Sequence, residues 1–151
     1  MPDQWSASQK KHASMIVRLA KKKRLDPHTY VAIAWHESSF NPSAVSNTGD
    51  VGIFQINYRW HHAALGFRSY KEFKREMVKP RVNTLYAFAV AAKLSWRPSC
   101  RKNNLFACYN GGPGWTRSKN ISKIIKYRNA VVRKRNYLQR RFPQWSRQHD
   151  D

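Results

Sequence analysis

Carboxylates are scarce in this chain: 8 Asp and Glu stand against 29 Lys and Arg in 151 residues, a formal net charge of +21. No acid occurs from residue 77 to residue 149, while seventeen Lys and Arg fall there, eleven of them between Arg117 and Arg147. Chemistry needing paired carboxylates therefore has few candidates, and a polyanionic partner is indicated: nucleic acid, anionic lipid and acidic cell-wall polymer all suit such a field. Long apolar runs are missing too. Nothing approaches the 18 or so residues of a membrane span, and MPDQWSASQKKHASM has neither the apolar core nor the cleavage site of a signal peptide, so a soluble protein without Sec export is expected. Cysteine is limited to Cys100 and Cys108, which can close a short loop but without a signal peptide are read as reduced thiols. Repeats and low-complexity linkers are absent, and the length suits one domain over 1–151 that buries roughly two-thirds of its unfolded surface. Trp60-His61-His62 brings two histidines together, but adjacent histidines point apart and no Cys or carboxylate follows at ligand spacing, so no metal site and no cofactor is expected.

What is present is organised around Trp35 to Asn57, WHESSFNPSAVSNTGDVGIFQIN. Upstream, LDPHTYVAIAW starts a helix: Asp26 can cap it, and Pro27 at the first helical position gives up an N–H that would be unpaired in any case. Glu37 rides the last turn. Helical spacing puts Tyr30, Ile33 and Ala34 on its face, apolar neighbours that solvate an ionised carboxylate poorly and favour the protonated, donor form. The helix is expected to end at Asn41-Pro42, because the residue before proline is pushed out of the α region, and Gly49 and Gly52 permit unusual backbone angles. GIFQIN alternates as a strand does and is expected to lay Gln55 and Asn57 along one side of a groove. On spacing alone, a glutamate closing an apolar helix is more often a solvated helix end than a catalytic acid.

Periodicity predicts the remaining helices. The first is capped by Ser8 or an earlier serine and runs to about Lys23, and the basic run Lys21 to Arg24 closes it as solvated charge favoured by the helix dipole. Ser69 to Glu72 is a capping box opening a short helix to about Met77. Pro80 starts another to about Ser95, so apolar that it is placed at the centre of the domain. Leu105 to Tyr109 forms a helix closed by Gly111-Gly112, with Tyr109 and Asn110 at its exposed end. A basic helix over about 118–142 carries Ile121, Ile124, Ile125, Val131, Val132, Leu138 and Phe142 on its apolar stripe.

The central stretch resembles the catalytic motif of the soluble lytic transglycosylases, a lysozyme-like family related to the goose-type lysozymes. Glu37-Ser38, Phe40-Asn41-Pro42, Ala44, Ser46, Gly49, Gly52 and Gln55 all fall where that motif has them. Downstream, ACYNGGPG from Ala107 to Gly114 is similar to the family's tyrosine-asparagine-glycine loop, and Asn83 resembles the asparagine that opens its central helix. The resemblance covers about Leu25 to Gly114, with both ends outside it. It implies a mainly α fold, a lysozyme-like α+β single domain with a very small β-hairpin region.

The resemblance also implies a chemistry. Glycoside cleavage ordinarily takes two carboxylates, but a lytic transglycosylase needs only one acid. Glu37 is then catalytic: it protonates the oxygen between N-acetylmuramic acid and N-acetylglucosamine, and takes a proton back from the C6 hydroxyl as an anhydro ring closes. Tyr109 would steady the reacting sugar, while Ser46, Gln55 and Asn110 hydrogen-bond substrate or the glutamate. Phe54 stands where the family has Met and would keep an apolar wall. Asn57 stands where goose-type lysozymes carry an aspartate; an amide cannot serve as a base, which disfavours hydrolysis. The size, the missing signal peptide and the cationic last helix look most like a bacteriophage-encoded member, an endolysin reaching the periplasm and wall or an enzyme carried in the virion. Two other readings are a hydrolysing muramidase on the same fold and a basic nucleic-acid-binding protein, although no readout motif supports the latter. The expected partners are peptidoglycan strands and, through the basic helix, an anionic wall or outer-membrane surface, with nucleic acid secondary.

Overall fold

The computed structural model describes residues 1–147; Asp150 and Asp151, the terminal acids of the 1–151 domain, lie outside the described residues. Among the described residues seven α-helices carry the fold: α1 (Ala7–Lys22), α2 (Pro27–Ser38), α3 (Tyr58–Leu65), α4 (Tyr70–Met77), α5 (Pro80–Ser95), α6 (Asn104–Gly111) and α7 (Ile121–Arg141). The expected mainly α, lysozyme-like class is what the chain adopts, and among the described residues its β component is two isolated bridges, Val45 with Val51 and Val51 with Ile56. None of the described helices is long and apolar enough to cross a membrane.

The helix starts follow the local chemistry. Ser6, two residues before Ser8, caps α1 in a reciprocal box: its hydroxyl accepts from Gln9 N at 3.1 Å and its own N–H donates to Gln9 Oε1 at 2.8 Å. Asp26 caps α2 through His28 N at 3.2 Å, with Pro27 at the first position. At the other end α2 stops at Ser38, three residues short of Asn41, because Ser39 and Phe40 turn left-handed at φ 51° and 64°. Phe40 is thereby driven into the core against Trp5, with ring centroids 4.8 Å apart.

The central helix is α2, not α5 as the apolar composition predicted. Tyr30 through Ala34 are buried without a break, and both α1 and α7 pack on α2. A helix buried all round needs neighbours on every face, and each side chain such as Ile33 contributes roughly 1.5–3 kcal/mol by leaving water. Helix α5 buries Ala87, Phe88 and Ala91 but exposes Ala89, Ala92 and Lys93, its small residues having nothing to cover them on that side.

The strand expected over GIFQIN is a turn. Val51 and Ile56 exchange backbone hydrogen bonds at 3.0 and 3.1 Å across it, and Gly52 and Gln55 sit at φ 87° and 53°. Alternation misled because the turn is pinned from outside by a buried amide. Asn83 Oδ1 accepts from Phe54 N at 2.8 Å, and its Nδ2 donates to the carbonyls of Val51 at 2.8 Å and Met77 at 3.0 Å. Gly52 is required there twice over, since any Cβ would collide with the Asn83 amide and the Met77 carbonyl.

Cys100 and Cys108 are joined in a disulfide, which corrects the expectation of reduced thiols. The 3-10 turn Pro98–Cys100 folds back on α6, bringing the two Cα atoms to 5.6 Å. This clasp, with the indole of Trp115 donating to Ser99 O at 3.0 Å, fixes the glycine loop after Tyr109.

Candidate active site

A cleft of about 690 Å³ opens at the C-terminal end of α2. It gathers Glu37, Gln55, Asn57, Tyr109 and Asn110, five of the seven residues singled out from the sequence, together with Asp50, Trp60 and His61. Each side chain is aimed by a different element. Gln55 is turned by its left-handed backbone and tethered by its Nε2, which donates to Gly52 O at 2.9 Å and Ala44 O at 3.0 Å. Asn57 caps α3 by accepting from Trp60 N at 3.0 Å, and its Nδ2 donates to Asp50 Oδ1 at 2.7 Å. Tyr109 donates its hydroxyl to Phe54 O at 2.7 Å, so α6 is tied to the turn that carries Gln55.

Two predicted residues lie elsewhere. Phe54 is fully buried and cannot form a sugar-facing wall; only its backbone serves the site, as donor to Asn83 and acceptor from Tyr109. Ser46 organises the loop: its hydroxyl donates to Asp50 Oδ2 at 2.7 Å and accepts from Asp50 N at 3.0 Å. It makes no hydrogen bond to Glu37.

The sequence reading missed Tyr127. This α7 residue donates its hydroxyl to Glu37 Oε1 at 2.6 Å, a charge-assisted distance when the acid is ionised. A signal existed: Tyr127 falls three residues after Ile124 and four before Val131, on the stripe that α7 buries, where a hydroxyl needs a partner. Helix α7 comes close enough because Gly111 of α6 leaves room for the Ile124 side chain, which any Cβ would strike.

Burial dominates the electrostatics. It pushes the Glu37 carboxyl from 4.5 up to about 7; the Tyr127 hydrogen bond pulls the other way, and the negative charge of Asp50 adds to the rise. Tyr127 and Tyr109 are both pushed well above the ordinary phenol value, by burial first and by the Glu37 charge second, so both remain hydrogen-bond donors. Next to Glu37, His36 is shifted down by burial and then by Lys134 and Arg133, which favours neutral imidazole. Lys134 lies 3.3 Å from its Nδ1 and 5.4 Å over the Trp35 ring. Among the described residues no group of three His, Cys, Asp or Glu is arranged to hold a metal ion.

The site is thus a half-buried acid poised near neutrality, held by a phenol and facing a cleft rimmed with amides and aromatic rings. Asp50, the other carboxylate in the cleft, is engaged on both oxygens: Ser46 and Thr48 donate to Oδ2 and Asn57 to Oδ1, each at 2.7 Å. That combination suits glycoside cleavage driven by one acid. No curated protein matches the chain. Residues 14–130 match the family described as the Transglycosylase SLT domain, so the likeness begins inside α1 and ends inside α7, beyond the Leu25 to Gly114 limits drawn from motifs. With most of its residues inside that match, the chain belongs to the Transglycosylase SLT domain family, lysozyme-like lytic transglycosylases that act on peptidoglycan.

Proposed function

We propose that the chain cleaves the bond between N-acetylmuramic acid and N-acetylglucosamine without water, with Glu37 as its one acid and base. Protonated Glu37 gives its proton to the bridging oxygen as the bond from the anomeric carbon to that oxygen breaks. The substrate's own N-acetyl group carries the developing positive charge, and the Tyr127 hydroxyl stabilises the new carboxylate. Glu37 then removes the proton of the muramoyl C6 hydroxyl, whose oxygen closes on the anomeric carbon to give a 1,6-anhydromuramoyl end. Glu37 loses one proton to the leaving oxygen and regains another from the C6 hydroxyl, so it ends as it began and neither water nor a second base is consumed. Tyr109, Gln55, Asn57 and Asn110 border the sugar's path, with Tyr109 steadying the reacting ring.

The observation carrying this reading is the contrast between the two carboxylates: Glu37 is shifted to about 7 by burial, while Asp50 is bonded to three side-chain donors. The second reading, hydrolysis with Asp50 activating water, is favoured by the presence of Asp50 in the same cleft. Mass spectrometry of muropeptides released from purified sacculi separates them. Anhydromuramoyl ends are expected; reducing muramic acid as the main product would make the enzyme a lysozyme.

The cationic face of α7 suits an anionic wall or outer-membrane surface. With it, the domain fits a bacteriophage-encoded lysin that acts in the periplasm or is carried in the virion.

A further inference from the structure

Three cavities meet at Trp60, which lines all of them, and one of the three holds Glu37. Two form one track: the main cleft and a trough between α3 and α5 share Trp60, His61, Val90 and Tyr109. The third, about 780 Å³ between the ends of α2 and α6 and the first turns of α7, joins the cleft only through Trp60 and Asn110. It is a side branch leaving the track at the reacting centre, since one of its walls is Tyr127, which holds Glu37. The two compartments also differ in charge. The cleft contains both Glu37 and Asp50, whereas no carboxylate among the described residues lines the branch, whose rim carries Lys123 and Lys126. Both lysines are exposed, and neither pairs with a carboxylate among the described residues.

A branched pocket is what a branched substrate requires. The muramoyl residue bears at O3 a lactyl group that carries the peptide stem, and the free carboxylates of that stem are its anionic part. If the muramoyl sugar reacts at Glu37, its stem must leave the track within a residue's reach of that acid. The trough offers apolar surface, Ala64, Leu65, Ala89 and Leu94, suited to the C–H faces of further sugars, with Lys93 and Arg97 also in its lining. The branch places its cations in the same lining as Tyr127, the residue bonded to Glu37, where a stem leaving the reacting sugar would pass.

We propose that the branch between α6 and α7 is a binding site for the peptide stem of the muramoyl residue, with Lys123 and Lys126 pairing its carboxylates. This rests on the muramoyl-cleaving reading above. It makes the enzyme selective for strands that still carry peptide.

The test compares kcat/KM on peptide-bearing glycan strands with kcat/KM on the same strands stripped of peptide by an amidase. For the wild type the ratio exceeds one. In the Lys123→Gln/Lys126→Gln variant the ratio falls about tenfold, mainly through KM, the scale expected from losing two partly solvated ion pairs. Because both lysines are exposed, an unchanged melting temperature is expected to accompany the loss. A Lys22→Gln/Lys23→Gln variant, with the same change in net charge on the far end of α1, keeps the wild-type ratio; an equal fall there would assign the effect to the overall field and overturn the site. An unchanged ratio in the Lys123/Lys126 variant overturns it too, as would a fall produced instead by Lys93→Gln/Arg97→Gln, which would put the stem along the trough. The product ends in the same samples report separately on the non-hydrolytic reading, so its failure is distinguishable from failure of the stem site.

Discussion

Replacing Glu37 by Gln keeps the shape of the side chain and its acceptance of the Tyr127 hydroxyl, and removes the titration. Two effects follow. Activity should fall at least about a hundredfold, the ordinary scale for losing a general acid. Stability should change with pH in a way that isolates the half-buried carboxyl. The native state holds its proton at pH values where the unfolded chain has released it, so the wild-type unfolding free energy falls as pH rises from 4.5 to about 7, then levels. At about 1.4 kcal/mol per pH unit, that interval amounts to about 3 kcal/mol. The Gln variant lacks this loss. Relative to wild type it should gain about 3 kcal/mol between pH 4 and pH 8, on the order of 10 °C in midpoint for a domain of this size. Other titrating groups are common to both proteins and cancel in the difference. Thermal unfolding of both at the two pH values measures it. A difference that does not change with pH would refute the account of Glu37 as a carboxyl raised by burial, and wild-type turnover by the variant would refute its catalytic role.

Tyr127→Phe removes the one contact that pulls the Glu37 proton affinity down, so the alkaline limb of the pH–rate profile should move to higher pH while kcat drops roughly tenfold; an unmoved limb would show that the hydroxyl does not act on Glu37. Reducing the Cys100–Cys108 bond, or replacing both residues by Ser, should cost about 2.5 kcal/mol from reopening a loop with a sequence separation of 8, read as a lower midpoint under reductant. Neutralising the exposed Arg133, Arg140 and Arg141 should weaken sacculus binding and flatten its salt dependence, since exposed charges are screened beyond about 10 Å near 0.1 M salt. Unchanged binding would leave those arginines as solubilising charge, and a transfer of affinity to DNA in the unmodified protein would favour a nucleic-acid partner.

Local rules carried much of the fold. Caps at Ser6, Asp26 and Ser69 and prolines at Pro27 and Pro80 mark helix starts that short-range hydrogen bonding dictates, and these were legible. The failures were tertiary. The turn at Val51 to Ile56 is held by Asn83, some thirty residues away, and alternation within six residues cannot register that. The choice between α2 and α5 as the central helix depended on what covers each face, and Ala89 and Ala92 are as compatible with an open trough as with a core. In the site, Glu37 could be read because its own helix supplies its apolar neighbours. Phe54 was misplaced because the left-handed Gln55 beside it reverses which side chain faces the cleft.

Helix α7 carries the largest revision. Read from motifs alone, it lay outside the catalytic unit and looked like a charged attachment. Its inner face shows otherwise, since Tyr127 reaches Glu37 and Lys134 lies against His36 and Trp35. Part of its charge is also structural: Arg128 donates to Asn104 Oδ1 at 3.1 Å and lies over Trp115, and Arg135 donates to Asn103 Oδ1 at 2.7 Å and lies over Phe106. These contacts join α7 to α6, the helix that presents Tyr109 and Asn110. A chain so poor in carboxylates can stitch its helices with arginine only through amide oxygens and aromatic faces, and Asn103, Asn104, Phe106 and Trp115 supply them. The same scarcity keeps the surroundings of Glu37 almost free of competing acids, so that burial, rather than a second carboxylate, sets its proton affinity.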